Sequence, residues 1–170
     1  MVKKYFFVFV CFLMVTLMAG CGKNILGKNQ EIVTNFESEV KINVDDQNEY
    51  AGTLVHTPEG MTTFTFSKPE NLKGLSYSIN SGKYEMRKNG LIGEYSMMPF
   101  PKNSYMFYLI SFLDSVSNQE NQSKITKNKE NFRIVCENEK FDFALDENGR
   151  IKSVCMPSKN LNVEFLEYRC

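Results

Sequence analysis

The sequence predicts a mainly β, α+β fold: one strongly curved antiparallel sheet, or half-open β-barrel, with one or two helices packed on its concave side. Three observations predict it. From Glu31 onward apolar and polar residues alternate with a period of two along most of the chain, the spacing of a half-buried strand. Only between Pro101 and Asn118 does the spacing change to three and four, as on one face of a helix. Short clusters of Asn, Asp, Gly and Pro separate the alternating runs, and joints this short suit hairpins better than crossovers.

The first run places Phe36, Val40, Ile42 and Val44 on one face, with charged residues opposite, after a weak helical stretch around Glu31 to Phe36. Asp45-Asp46-Gln47-Asn48 reads as a turn, and Glu49 to Thr57 as a strand that Pro58-Glu59-Gly60 ends. Met61 to Ser67 alternates Thr62, Phe64 and Phe66 against Thr63 and Thr65, and Pro69 interrupts the ladder because it has no amide donor. Leu75, Tyr77 and Ile79 continue the pattern, and Asn80-Ser81-Gly82 turns the chain into a strand from Lys83 to Lys88 that aligns Tyr84 and Met86. Asn89-Gly90 is the strongest hairpin signal in the chain and returns Leu91 to Ser96 against that strand.

In the helical segment Tyr105, Tyr108, Leu109, Phe112, Leu113 and Val116 share a face, Asn103 or Ser104 can cap it, and Pro99 and Pro101 forbid an earlier start. Ser117 to Asn131 is polar except for Ile125 and reads as an exposed connection with at most one short strand. Four further strands follow, Phe132 to Glu137, Lys140 to Asp146, Arg150 to Met156 and Leu161 to Tyr168, joined as a meander.

About nine or ten strands and one main helix must share one core. With strands about 4.8 Å apart, a sheet of eight or more spans close to 40 Å, whereas a helix of about 14 residues is only about 21 Å long. One helix cannot cover such a face if the sheet stays flat. Curling the sheet around the helix shrinks the apolar face that needs cover, and whatever stays open becomes a groove.

Residues 1–20 read as an export signal: Lys3 and Lys4, an apolar run from Tyr5 to Met18, then small residues. The run is shorter than the ~20 residues a bilayer span requires. Leu17-Met18-Ala19-Gly20-Cys21-Gly22 closes it and resembles the lipobox of bacterial lipoproteins. In that family a thiol is needed at the first mature position to take the diacylglyceryl thioether, so the resemblance implies cleavage after Gly20 and a lipid anchor on Cys21. Two or three acyl chains at ~0.8 kcal/mol per buried methylene hold a protein stably at a membrane. The expectation is a lipid-anchored protein on the extracytoplasmic face of the cell membrane, with residues 21–30 as a polar tether and residues 31–170 as a single domain.

The charge balance, 20 Lys+Arg against 20 Asp+Glu, turns slightly acidic once Lys3 and Lys4 are removed and excludes attraction to nucleic acid as the design. His56 is the only histidine, and no G-x-S-x-G turn flanks a candidate nucleophile. No Cys-x-x-Cys, histidine pair or phosphate-binding glycine loop is present, so neither metal nor cofactor is expected. Beyond Cys21, the cysteines are Cys136, Cys155 and Cys170. In a meander Cys136 and Cys155 lie on either side of an intervening strand, about 9–10 Å apart, too far for a disulfide. Free thiols are expected, with Cys170 available for an intermolecular bond.

The strand-rich order across Glu31 to Tyr168, the helix after the central strands, and the terminal pattern Phe141-Asp142-Phe143-Ala144-Leu145-Asp146-Glu147-Asn148-Gly149-Arg150-Ile151 followed by Asn162-Val163-Glu164-Phe165 resemble the LolA-like lipoprotein-carrier and lipoprotein-sensor family. The resemblance implies a half-barrel closed by helices, whose concavity binds acyl chains or lipoproteins or docks a protein partner. Small lipid-anchored relatives in spore-forming bacteria include germination lipoproteins that support a cortex-lytic amidase. The expected function is a non-enzymatic binding module for a protein partner or an apolar ligand. A lipid or lipoprotein carrier is the alternative, and a hydrolase using His56 a distant one. Met97, Met98 and Phe100 with Tyr105, Tyr108 and Phe112 are the expected lining of an opening beside the helix, because Met and aromatic side chains suit an adaptable apolar surface.

Overall fold

The computed structural model describes residues 31–80, 82–97, 101–128 and 130–169. The export signal, Cys21 and its tether, and Cys170 lie outside these residues. The described chain forms β1 (Phe36–Val44), β2 (Asn48–His56), β3 (Thr62–Lys68), β4 (Ser76–Asn80), β5 (Lys83–Lys88) and β6 (Leu91–Tyr95). Then come α1 (Tyr105–Ser117), α2 (Gln119–Gln122), β7 (Thr126–Asn128), β8 (Asn131–Cys136), β9 (Glu139–Leu145), β10 (Ile151–Met156) and β11 (Leu161–Arg169). A one-turn 3-10 helix, Pro157–Lys159, joins the last two strands.

All eleven strands belong to one antiparallel sheet in the order β6-β5-β4-β3-β2-β1-β11-β10-β9-β8-β7. Two hairpin-connected meanders, one on either side of α1 in sequence, become one sheet because β1 pairs with β11 along most of its length, from Glu37 opposite Arg169 to Val44 opposite Leu161. Alternation then decides the faces. Phe36, Val40 and Ile42 of β1, Leu54 of β2 and Phe64 and Phe66 of β3 are buried, as are Phe141 and Phe143 of β9, Ile151, Val154 and Met156 of β10, and Leu161, Val163 and Phe165 of β11.

The curvature follows from what α1 touches. The Tyr105 ring stacks on Tyr50 of β2 with centroids 4.6 Å apart, while Phe112 packs against Phe141 and Phe143 of β9 at 5.6 and 5.4 Å. β2 and β9 are four strand spacings apart in the sheet order, about 19 Å in a flat sheet, yet one helix about 10–12 Å across meets both. The sheet must therefore wrap around it. Register shifts at Glu39/Val40, Ala51/Gly52 and Ile151/Ser153 mark the irregularities at which an extra residue bends a strand and increases its twist.

Gly52 occupies one such bend. A Cβ there would meet the Thr65 carbonyl oxygen at 2.2 Å and the Phe64 ring at 2.9 Å, so β2 and β3 approach more closely than any other residue permits. Gly90 serves a different need: with Asn89 it forms the β5–β6 turn at φ values of 52° and 80°, the left-handed pair that a two-residue hairpin requires.

Three expectations are corrected. Eleven strands form among the described residues instead of nine or ten, because the short β7 adds to the edge. The stretch expected to be weakly helical is not a helix in its described residues: Phe36 opens β1, Ile32 is buried, and the Val33 amide donates to the Gly149 carbonyl at 2.9 Å. A tertiary anchor at the Asp146–Gly149 turn there outweighs a helix too short to nucleate. The second helix is instead α2, within the connection expected to be exposed, capped by the Asn118 side chain accepting from the Glu120 amide. Ile125 then reaches the core at 2% exposure.

Gly52→Val is expected to lower the free energy of unfolding by about 2–3 kcal/mol, the cost of overpacking a closed site. Urea denaturation at pH 7 checks this, and a loss below about 0.5 kcal/mol would mean that the strands separate freely at the bend.

Candidate functional site

Helix α1 starts where the Ser104 side chain accepts from the Phe107 amide and runs alongside β2 in the same direction, with Tyr105 beside Tyr50 at one end and Ser117 beside His56 at the other. Met106, Tyr108, Leu109, Ile110, Phe112, Leu113 and Val116 are all buried. The helix thus fills the concavity over the central and C-terminal strands. The groove expected from sequence divides accordingly. Phe112 is fully buried, packed against Phe141 and Phe143. Tyr105 and Tyr108 do line one, of about 290 Å³, with Val44, Asp45, Asn103 and Lys159. Met97 lies 77% exposed on the chain leaving β6, and Met98 and Phe100 are outside the described residues. Among the described residues of this set, Tyr105 and Tyr108 meet at one opening.

His56 is held as a latch. Its Nδ1 lies 2.8 Å from Thr62 Oγ1 on β3 and its Nε2 2.8 Å from Ser117 Oγ at the end of α1. The two hydroxyls can donate or accept, so the imidazole is bonded on both sides in its neutral form. Burial pushes its pKa down to about 4. Beside it an opening of about 280 Å³ is lined by Pro58, Glu59, Gly60, Asp114, Ser117 and Asn118. A Ser117–His56 pair has the spacing of a nucleophile and its base, but Ser117 sits at the C-terminal end of α1, where the helix dipole is negative and opposes a developing oxyanion. The orienting partner is a neutral threonine. What the geometry provides is a tie between helix and sheet.

Cys136 and Cys155 are free thiols on β8 and β10, on either side of β9. Burial pushes both up, which keeps them protonated and unreactive. Among the described residues no group of His, Cys, Asp and Glu side chains could hold a metal ion. No helix among them is long and apolar enough to cross a membrane.

Sequence reasoning missed the wing formed by β4, β5 and β6. Here the inner face runs on to the edge of the sheet. Register puts Phe64, Tyr77, Met86 and Gly93 in one row across β3 to β6, and Thr62, Ile79, Tyr84 and Tyr95 in the next. Aromatic contacts lead outward from the helix: Tyr105 to Tyr50, Tyr50 to Phe66 at 6.2 Å, and Phe66 to Tyr77 at 6.0 Å. Burial, with a smaller contribution from Tyr95, pushes the Tyr77 phenol up. Burial then fades across the wing: Tyr77, Tyr84 and Met86 are half-buried, whereas Tyr95 is 41% and Leu91 77% exposed. Ile92, on the other face of β6, is 59% exposed. The alternation of Tyr84 and Met86 is visible in sequence, but not that they stay half-buried.

The wing's outer face is polar. Thr63 and Ser78 hydroxyls bond across strands at 3.0 Å, Thr65 donates to Ser76 at 3.1 Å, and Arg87 pairs with Glu85. An opening of about 750 Å³ is lined by Thr63, Ser78, Glu85, Arg87 and Glu94 together with Tyr84 and Tyr95.

No protein-family model matches the chain, and no curated protein matches it in sequence. Its half-barrel is similar to solved structures. One is an uncharacterized conserved protein from Thermus thermophilus, at 9% identity and TM-score 0.48, covering 86% of this chain and 83% of that one. Another is a LolA superfamily protein from Nitrosomonas europaea, at 8% identity and TM-score 0.42, covering 87% and 92%. A third is a domain from Vibrio parahaemolyticus described as an outer membrane lipoprotein-sorting protein, at 9% identity and TM-score 0.40, covering 84% and 88%. The superfamily the sequence resembles is thus represented among the structural neighbours. With TM-scores below 0.5, none of these similarities bears on function.

His56 gives a pH signature with a definite sign. Its pKa in the folded chain lies below the unfolded value of 6.5, so only the unfolded chain gains a proton as pH falls from about 6.5 to about 4. Stability is therefore full above pH 6.5 and falls by about 3 kcal/mol across that window. Asp142, held low by Arg133, has the same sign in a more acidic window: its contribution is present above its unfolded pKa and is lost as pH falls through its folded value, below about 4. Urea denaturation between pH 7 and 5 should show the histidine slope in the parental chain and a flat profile in His56→Gln. An unchanged slope in the variant would assign it to other groups.

Proposed function

We propose that this protein is a membrane-tethered, extracytoplasmic, non-enzymatic binding module that docks an apolar segment of a protein partner on the inner face of the β4–β6 wing. One observation carries the reading. Of the six large apolar side chains exposed among the described residues, Leu91 and Tyr95 lie on the inner face of β6, Ile92 on its other face and Met97 on the chain leaving it, while Val135 and Leu166 lie elsewhere. Apolar surface gathered at one end of a filled half-barrel marks a contact site, and Tyr and Met suit it because each offers large area and adaptable packing. A carrier enclosing an acyl chain needs a sheltered apolar chamber; the concavity that could supply one is occupied by α1.

The tether belongs to the same proposal. Anchoring at Cys21 keeps the wing near a membrane surface and raises its effective concentration toward a partner there. Replacement of Cys21 by Ser is expected to move the protein from the membrane to the soluble fraction on ultracentrifugation, and persistent sedimentation with membranes would refute the anchor.

The docking face is tested by a photoreactive residue at position 84 on the inner face, compared with position 65 on the outer face, in cells expressing the full chain. The expected result is a polypeptide adduct at position 84 alone, lowered at least tenfold by Met86→Lys, a change of about 1.4 kcal/mol. Lipid adducts at position 84 would establish the carrier reading instead, and equal adducts at both positions would leave the wing without a special role.

A further inference from the structure

We infer that β6 pairs edge to edge with β6 of a second copy of this chain, in an antiparallel register centred on Gly93, joining two half-barrels into one continuous sheet. The inference rests on the membrane tether proposed above but not on the docking face, because it uses the backbone edge of the wing and not its inner surface.

The hydrogen-bonding directions come first. Lys88 and Leu91 flank the two-residue Asn89-Gly90 turn, so they exchange hydrogen bonds, as do the alternate pairs Met86–Gly93 and Tyr84–Tyr95. The amide and carbonyl groups of Ile92 and Glu94 then point away from β5. Among the described residues β6 ends the sheet, and these groups face outward at its edge. Such groups are satisfied in full only by another extended strand. Two of the usual protections, Pro and Lys, are missing from Leu91-Ile92-Gly93-Glu94-Tyr95, whose one charge is Glu94 and which exposes Leu91, Ile92 and Tyr95.

The register follows from charge and parity. Outward-facing groups must meet one another, which allows Ile92 opposite Ile92 of the second copy, Glu94 opposite Glu94, or Ile92 opposite Glu94. The second places like charges face to face, and the first shifts the strands so that Glu94 meets the turn residue Gly90. The third overlaps all five residues, makes four backbone hydrogen bonds, sets Glu94 against an aliphatic neighbour, and pairs Leu91 with Tyr95 on the inner face. Gly93 meets its own copy at the centre. The opposite edge of the sheet is no competitor: β7 has only the three polar, exposed residues Thr126, Lys127 and Asn128, and pairing it with β6 would build an open polymer instead of a closed dimer.

A contact of five residues is too small for a stable interface in dilute solution. Two copies anchored to one membrane meet at a far higher effective concentration, so the pairing belongs to the tethered state.

Gly93→Cys tests it in membranes of cells expressing the full chain. A Cβ at Gly93 meets only the flexible Tyr95 side chain, at 3.0 Å and beyond. In the proposed register the two copies of this residue form a non-hydrogen-bonded pair with Cα atoms about 4.5 Å apart, within disulfide reach. Mild oxidation should give a species of doubled mass in the Gly93→Cys chain and not in the parental chain, whose own cysteines set the background. Adding Ile92→Glu, which opposes Glu94 of the other copy twice, should lower the yield about five- to tenfold. Adding Ile92→Lys should maintain or raise it, a sign difference that general damage to the hairpin would not produce. Adding Ile92→Pro, which removes an edge donor without touching the β5 ladder, should lower it as well. No cross-link in membranes, or equal yields from the Glu and Lys variants, overturns the pairing. The position 84 adduct is read separately, so failure of the pairing and failure of the docking face are distinguishable.

Discussion

Among the described residues one long helix, of 13 residues, covers the apolar side of an eleven-stranded sheet, and most of the architecture answers to that shortage. Thirteen residues make a rod about 20 Å long, far narrower than the sheet is wide. Bending the sheet brings β2 and β9 within reach of the same helix, so that Tyr50 and Phe143 both pack against it although they stand on opposite sides of the β1–β11 seam. The irregular pairings and the close approach at Gly52 occur where two strands must deviate from a flat ladder. The helix reaches its limit at the wing, where burial fades.

The same constraint explains why the buried polar residues are where they are. Helix and sheet contribute few backbone hydrogen bonds to each other, so apolar contact alone would leave the angle of α1 weakly specified. His56 supplies direction, because its two nitrogens reach one hydroxyl on β3 and one on α1, and burying it costs little while it stays neutral. A histidine in this position combines a core role with a sharp sensitivity to acid. That combination arises from geometry and needs no catalytic purpose.

The unequal cover also separates two uses of one scaffold. An interior left hollow would shelter a ligand from water, whereas an interior filled by its own helix leaves only an end and an edge for contact. Here the filled portion spans the β1–β3 and β8–β11 strands. The proposed contact surface lies on the β5–β6 hairpin, which offers an inner face with exposed Leu91 and Tyr95 and a backbone edge without Pro or Lys. These two features differ in chemistry, one recognising side chains and the other an extended main chain, and can be occupied together.

Much of the fold was legible in the residues themselves. Period-two alternation in segments such as Phe36 to Val44 and Met61 to Ser67 determined strand identity and inward faces, the three-and-four spacing of Tyr105 to Val116 determined the helix, and Asn89-Gly90 determined its hairpin, because each is a local consequence of backbone geometry. The candidate site was legible only in part: Tyr105 and Tyr108 reach an opening, but Phe112, which has the same spacing, is sealed against Phe141 and Phe143. Only tertiary structure decided that β1 pairs with β11, that the helix lies along β2, and that burial fades toward β6 so that Leu91, Ile92 and Tyr95 stay in solvent. Periodicity says which side of an element is apolar. Which neighbour covers that side, and how far the cover extends, depends on contacts between residues more than a hundred positions apart in the chain.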